Sequence, residues 1–340
     1  MNKNLLKRND NFKYFHTENE CGYKNPLSSE LDTADPCIVY NEKDGYYYGI
    51  YTGHTKLTMH RARCLRDMFS ASESSVIYEP HDEDGTYGFF WAPEIHIIDG
   101  VWYIYTSTHE KDTKGHKHVI VLKAKSEHPL DGFELLGHIN PELLAIDPTI
   151  YQDKKQGKLY LCSSAVIGRK QKLIIQELSD PATPVGEWQV IAEPVYDWEM
   201  LYPYDDTWGQ INEGAYFIES NDRLFIVYSG NGCWSDDYVM GILEFVGDDI
   251  LSPDSWVKYD KPFMTKGNGN FGPGHATFFK SPDGSELWIC HHCLHESDPE
   301  FVQMHRHCHV QKVFFDESGF PHADMPLPSN KYFDEPSGTK

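Results

Sequence analysis

The sequence predicts an all-β protein folded as a five-bladed β-propeller. Three observations carry that expectation. The chain of 340 residues holds 21 Tyr, 18 Phe and 8 Trp and is 40% hydrophobic, enough aromatic strand-forming material for a large core. One pattern recurs five times: a small or polar pair, a short apolar strand, a turn, then an aromatic strand. No amphipathic helical stretch of comparable length competes with it.

The five segments, in order, are "DPCIVYNEKDGYYYGIYTG" from Asp35, "APEIHIIDGVWYIYTST" from Ala92, "DPTIYQDKKQGKLYLCSSA" from Asp147, "EGAYFIESNDRLFIVYSG" from Glu213 and "HATFFKSPDGSELWICHH" from His275. Their turns fall at Asp44-Gly45, Asp99-Gly100, Gly157, Asn221-Asp222 and Asp283-Gly284, residues that accept a positive φ. A third strand follows most of them, as in "HKHVIVLKAKS", "KLIIQELSD", "YVMGILEFVG" and "HVQKVFFDESG". Sheets of this size, repeated five times, arrange radially about an axis. The expected layout is an N-terminal extension over 1–30, a propeller over 31–327 and a tail over 328–340.

The innermost strand of each blade lies nearest the axis, so its first residue faces one end of the channel. Those positions hold Asp35, Ala92, Asp147, Glu213 and His275 in the alignment. Acidic residues often begin strands as turn formers. Ionisable groups at four of five equivalent places favour a converging set instead. Two carboxyl groups flanking a bond are the apparatus of glycoside hydrolysis: a protonated one serves the leaving oxygen and an ionised one activates water. A third carboxylate would help keep the acid protonated.

The formal charge of −22 argues against nucleic acid or an anionic membrane as partner and suits a neutral or weakly charged substrate. The start, "MNKNLLKRNDNFKYFHTENE", has only Leu5-Leu6 as an apolar stretch, and the eight cysteines are scattered. These features lead to the expectation of a reduced, cytoplasmic protein.

Taken together, "ADPCIVY", "WAPEIH", "IDPTIY", "INEGAYF" and "GPGHATFF" resemble glycoside hydrolase family 43, over nearly the whole chain. The resemblance implies an inverting, five-bladed enzyme acting on arabinan, arabinoxylan or xylan fragments. It implies Asp35 as general base, Asp147 as the residue that modulates the acid's pKa, and Glu213 as general acid. Trp91 would wall the sugar pocket, and Arg306 would be an active-site arginine. His275 matches a histidine found near a central metal ion, commonly calcium, or near ordered water; the hydrolysis itself requires no cofactor. The family's glutamate motif often continues Gly-Pro, whereas Ala215 follows the glycine here. The functional expectation is an exo-enzyme releasing terminal α-L-arabinofuranosyl residues from arabino- or arabinoxylo-oligosaccharides. The alternatives are a β-xylosidase of the same family and a non-catalytic carbohydrate-binding propeller.

Three further stretches carry weaker signals. "CHHCLHESDPEFVQMHRHCHV" is rich in zinc-type ligands, but the spacing is poor, and strand packing with His292 and Arg306 near the channel mouth is favoured. The tyrosines of "GYYYGIY" read as blade core. Trp198, Tyr202 and Trp208 precede Glu213 in a long connection, where one or two are expected to line the pocket.

Overall fold

The computed structural model describes residues 16–17, 22–109, 116–201, 209–295, 305–323, 325–329 and 331–340. Among them, five four-stranded antiparallel sheets follow one another, each with its strands hydrogen-bonded in chain order. Blade 1 comprises Cys37–Asn41, Tyr46–Ile50, Leu57–Ala62 and Glu73–Tyr78. Blade 2 comprises Trp91–Ile98, Val101–His109, Lys117–Ala124 and Phe133–Ile139. Blade 3 comprises Ala145–Asp153, Lys158–Ile167, Lys170–Asp180 and Thr183–Ala192. Blade 4 comprises Asn212–Ser220, Arg223–Gly230, Val239–Phe245 and Trp256–Lys258. Blade 5 comprises Phe271–Lys280, Leu287–Leu294, His307–Phe315 and Pro321–His322.

The hairpins close where the turn residues stand. Asp99 and Gly100 both take positive φ between the paired Ile98 and Val101, and Asn221 and Asp222 do the same between Ser220 and Arg223. Two such residues in succession match the right-handed twist of the flanking strands.

Side chains alternate across a strand, and in a propeller both faces are covered by neighbouring blades. That is why the middle strands read as unbroken apolar runs. Ile104, Ile120 and Leu122 pack toward blade 1, while Tyr105, Val119 and Val121 pack toward blade 3. Each of the five apolar clusters fills one seam between adjacent blades. Tyr47 and Tyr48 of the tyrosine run are fully buried in two of them.

The seam between blades 5 and 1 also takes in the chain's flanks. Tyr23, Leu27 and Phe333 join its cluster, His16–Thr17 pairs with Tyr332–Phe333, and Asn25 bonds both backbone groups of Val310 at 2.9 Å. Thr33 Oγ1 accepts from the Cys308 amide at 2.7 Å. Among the described residues, no helix is long and apolar enough to cross a membrane.

Blade 5 buries several imidazoles in uncharged form. Burial lowers His291 to about 3 and both His292 and His295 to about 4, and it also holds His309 well below the usual imidazole value. The same rings in an unfolded chain take up protons around pH 6.5. The unfolded state therefore binds more protons between these values, and the stabilisation, complete above pH 6.5, is lost as pH falls toward 4. Each ring contributes on the order of 1.4 kcal/mol per pH unit within its window. Melts between pH 7.5 and 4.5 should show Tm falling through this range, and His309→Gln should flatten the fall. A Tm independent of pH across the window would contradict this.

Candidate active site

Five residues, one per blade, stand at the head of the inner strands in the left-handed conformation: Asp35 (φ 52°), Ala92 (47°), Asp147 (57°), Gly214 (55°) and His275 (50°). This ring corrects the sequence alignment at one position. Glu213 pairs with Ser229 as Trp91 pairs with Ser107 and Ile146 with Ser164, each just before an irregularity in register. Glu213 is thus equivalent to Trp91, and the axial place in blade 4 belongs to Gly214. A Cβ on Gly214 would lie 3.1 Å from His275 Nδ1 and 3.2 Å from its Cα, so only glycine lets the histidine backbone approach.

Left-handed geometry costs a non-glycine residue ~1–2 kcal/mol, and bonds between blades hold it in place. The amide of Ala92 donates to Thr52 Oγ1 (2.9 Å), that of His275 to Ser229 Oγ (2.7 Å) and that of Asp35 to His292 Nδ1 (3.2 Å). In blade 4 the Gly214 amide donates to Asp147 Oδ2 instead, at 3.0 Å. Four of the five blades are thus tied to their predecessors at the left-handed residues, which aim functional groups at the axis.

Asp35 is 7% exposed and well supplied with partners. Its Oδ2 accepts from Thr52 Oγ1 at 2.6 Å, and its Oδ1 accepts from Arg306 Nη1 at 3.1 Å. Burial is the strongest influence and would raise this carboxyl, but the Arg306 guanidinium, together with the His275 and His292 rings, holds Asp35 well below the usual carboxylate range. His292 Nδ1 also lies 3.2 Å from Asp35 Oδ1. That nitrogen already accepts the Asp35 amide proton, so the ring carries its own proton on Nε2 and the contact to Oδ1 is not a hydrogen bond. His275 Nδ1 lies 3.5 Å from Asp35 Oδ1 and 3.9 Å from Asp147 Oδ2, placing two carboxyls around one imidazole. Burial lowers His275, leaving that ring neutral.

Asp147 and Glu213 behave oppositely to Asp35. Asp147, 6% exposed, is raised well above the usual value by burial and then by the charges of Glu213 and Asp35. Glu213, 7% exposed, is pushed up to about 7, chiefly by burial. Tyr238 and Gln171 pull it back through hydrogen bonds to Oε1 (2.9 Å) and Oε2 (3.0 Å). The hub therefore contains one carboxylate that is ionised near neutral pH and a pair that retains a proton there.

The structure brings Asp35, Asp147, Glu213, His275, His292 and Arg306 into this hub. Trp91 is half-buried in blade 2, and Lys117 Nζ sits 3.5 Å over its ring, covering one face of the indole. Trp198 packs toward blade 4, stacked on Tyr228 and donating from Nε1 to the Asp260 carbonyl at 3.1 Å. Tyr202 and Trp208 lie outside the described residues. Sequence reasoning missed Tyr238, Gln171, Thr52 and Ser229. Only Tyr238 leaves a trace: a Cβ on Gly274, in "GPGH", would fall 1.9 Å from Tyr238 Cε1.

Calcium requires six to eight oxygen ligands. Around His275 there are a ring nitrogen and two carboxylates already engaged by Arg306, Thr52 and Gly214. No group of three His, Cys, Asp or Glu among the described residues is placed to hold a metal ion. The protein groups at the hub therefore leave most of a calcium ion's coordination to water, and no chemistry below passes through a metal.

A wheel of five sheets whose hub sets an ionised carboxyl beside a proton-retaining pair has the apparatus of a glycoside hydrolase. The chain belongs to the glycosyl hydrolases family 43, whose model matches residues 23–321. Among solved structures it is similar to an α-L-arabinofuranosidase from Lactobacillus brevis, at 28% identity and a TM-score of 0.80, over 91% of this chain and 98% of that one. It is 29% identical to an extracellular exo-α-(1→5)-L-arabinofuranosidase of Streptomyces chartreusis, over 79% of this chain and 82% of that protein. It is 27% identical to a protein of the same description from Streptomyces avermitilis, over 90% of this chain but 64% of the relative's length. Both Streptomyces relatives are described as extracellular, which overturns the expectation of a cytoplasmic protein. A short apolar stretch and scattered cysteines do not determine compartment.

Proposed function

We propose that this chain is an inverting, exo-acting α-L-arabinofuranosidase that works outside the cell on arabino- or arabinoxylo-oligosaccharides. The observation that carries the reading is the split in protonation within one hub: Asp35 ionised, Asp147 and Glu213 raised. Glu213 gives its proton to the glycosidic oxygen as the bond to the anomeric carbon breaks. Asp35, kept ionised by Arg306, takes a proton from the water that attacks the opposite face. Asp147 fixes the Gly214 amide beside the acid and shares the retained proton with Glu213. Arabinofuranose as the sugar, exo action and secretion are supported by the descriptions of the relatives.

The test is hydrolysis of α-1,5-arabinobiose and of the p-nitrophenyl glycosides of α-L-arabinofuranose and β-D-xylopyranose, with the first-formed anomer read by NMR. Preference for the arabinofuranosides with β-arabinose appearing first is the expected result. Preference for the xyloside would overturn the sugar assignment, and α-arabinose appearing first would overturn inversion.

A further inference from the structure

We infer that Tyr238 and Gln171 are positioning residues for the acid step: they hold both oxygens of Glu213 and receive the negative charge left there when its proton departs. The inference rests on the reading of Glu213 as the acid. Tyr238 comes from blade 4 and Gln171 from the third strand of blade 3, so the acid is gripped from two blades.

The amide orientation of Gln171 follows from its partners. Its Nε2 faces Glu213 Oε2 at 3.0 Å and Ser164 Oγ at 3.2 Å. The Ser164 hydroxyl already donates to the Asn212 carbonyl at 2.8 Å, so Oγ has only acceptor capacity left. Both neighbours need a donor, and the NH2 group supplies two.

Tyr238 is held as firmly. It is 1% exposed, and its ring stacks on His292 at 5.5 Å with 7° between planes. Gly274 clears the space it occupies. Burial, then the charge of Glu213, raise its phenol, so the hydroxyl stays protonated and remains a donor. A phenylalanine would fill this space; the hydroxyl is what Glu213 uses.

The other groups bearing on Glu213 are Asp35, whose charge favours its protonated form, and Arg306, which favours the ionised form; the charge of Glu213 in turn raises Asp147. The Cys233 thiol and the His275 ring are neutral neighbours. Hydrogen bonds from Tyr238 and Gln171 strengthen as the carboxyl becomes a carboxylate. They therefore stabilise the state that follows proton transfer, while burial keeps the proton in place beforehand. In the step, the proton passes from Glu213 to the glycosidic oxygen, which leaves with the electron pair of its bond to the anomeric carbon. The water oxygen bonds to that carbon and its proton goes to Asp35. Each carboxyl oxygen has two lone-pair directions, so the two donors leave room for the transferring proton.

Tyr238→Phe and Gln171→Met test the inference, with folding checked by circular dichroism and Tm. Each should lower kcat on arabinobiose about tenfold, and lower it less on an aryl arabinofuranoside whose phenol leaves without protonation. Each should also move the alkaline limb of kcat/KM upward by about one pH unit, because a donor that favoured ionisation is gone. An unmoved limb in folded variants, or equal losses on both substrates, overturns the inference. If Tyr238→Phe does not fold, the Gln171 variant decides. Glu213→Gln separates the two claims: if it keeps its turnover, the acid reading itself falls, whereas an inactive Glu213→Gln beside unmoved limbs defeats only the positioning role.

Discussion

Glu213→Gln cleaves arabinobiose at least ~100-fold more slowly than the parent, the scale expected when a general acid is removed. Glutamine keeps the shape of the side chain and can still meet Tyr238, so the loss is one of proton supply. Gln171 offers a donor where the new amide needs either partner, which makes some local rearrangement part of the result. An aryl arabinofuranoside with an acidic phenol should lose far less, because its leaving group departs as the anion. In the parent, kcat/KM on arabinobiose should fall as pH rises through about 7, where Glu213 gives up its proton. Steady-state rates on the two substrates between pH 5 and 9 check both points. Equal losses on both substrates would show that Glu213 does not protonate the leaving oxygen.

Asp35→Asn should reduce turnover by at least ~100-fold on both substrates, since every glycoside needs the attacking water activated. The insensitivity to leaving group distinguishes base from acid. A second effect comes from Arg306, whose side chain is 13% exposed and pairs with the buried Asp35. Removing one member of a buried ion pair strands the other, at a cost of about 3 kcal/mol. Tm should therefore fall clearly, with activity lost even at temperatures where the variant is folded. Turnover that recovers on cooling would mean that Asp35 serves the fold rather than the reaction.

The hairpins, their turns and four of the five axial residues could be read from the chain because each obeys a local rule. Asp99-Gly100 and Asn221-Asp222 sit where two residues take positive φ, Gly45 and Gly284 where one does, and doubly covered strands are apolar throughout. The fourth strand of each blade was not legible. Glu73–Tyr78 and Thr183–Ala192 are largely exposed, and Trp256–Lys258 and Pro321–His322 are very short, so neither carries a periodic apolar signal. The one-residue offset at Glu213 was hidden for a different reason. An alignment by residue type pairs acid with acid, whereas the backbone places a glycine in the equivalent position. Tyr238 and Gln171 reach Glu213 only through the meeting of separate strands, and nothing in their local sequence announces it.

Glu213 and Asp35, the proposed acid and base, ride on blades 4 and 1, with blade 5 lying between them on the shorter arc. That arc is latched by side-chain packing and hydrogen bonds at residues 23–33 and 332–333, and the cysteines of the described residues are free thiols. The gap across which the chemistry works is therefore set by a non-covalent clasp at the rim. Loosening that clasp is expected to shift the two groups relative to each other, so that turnover responds to changes made at the rim.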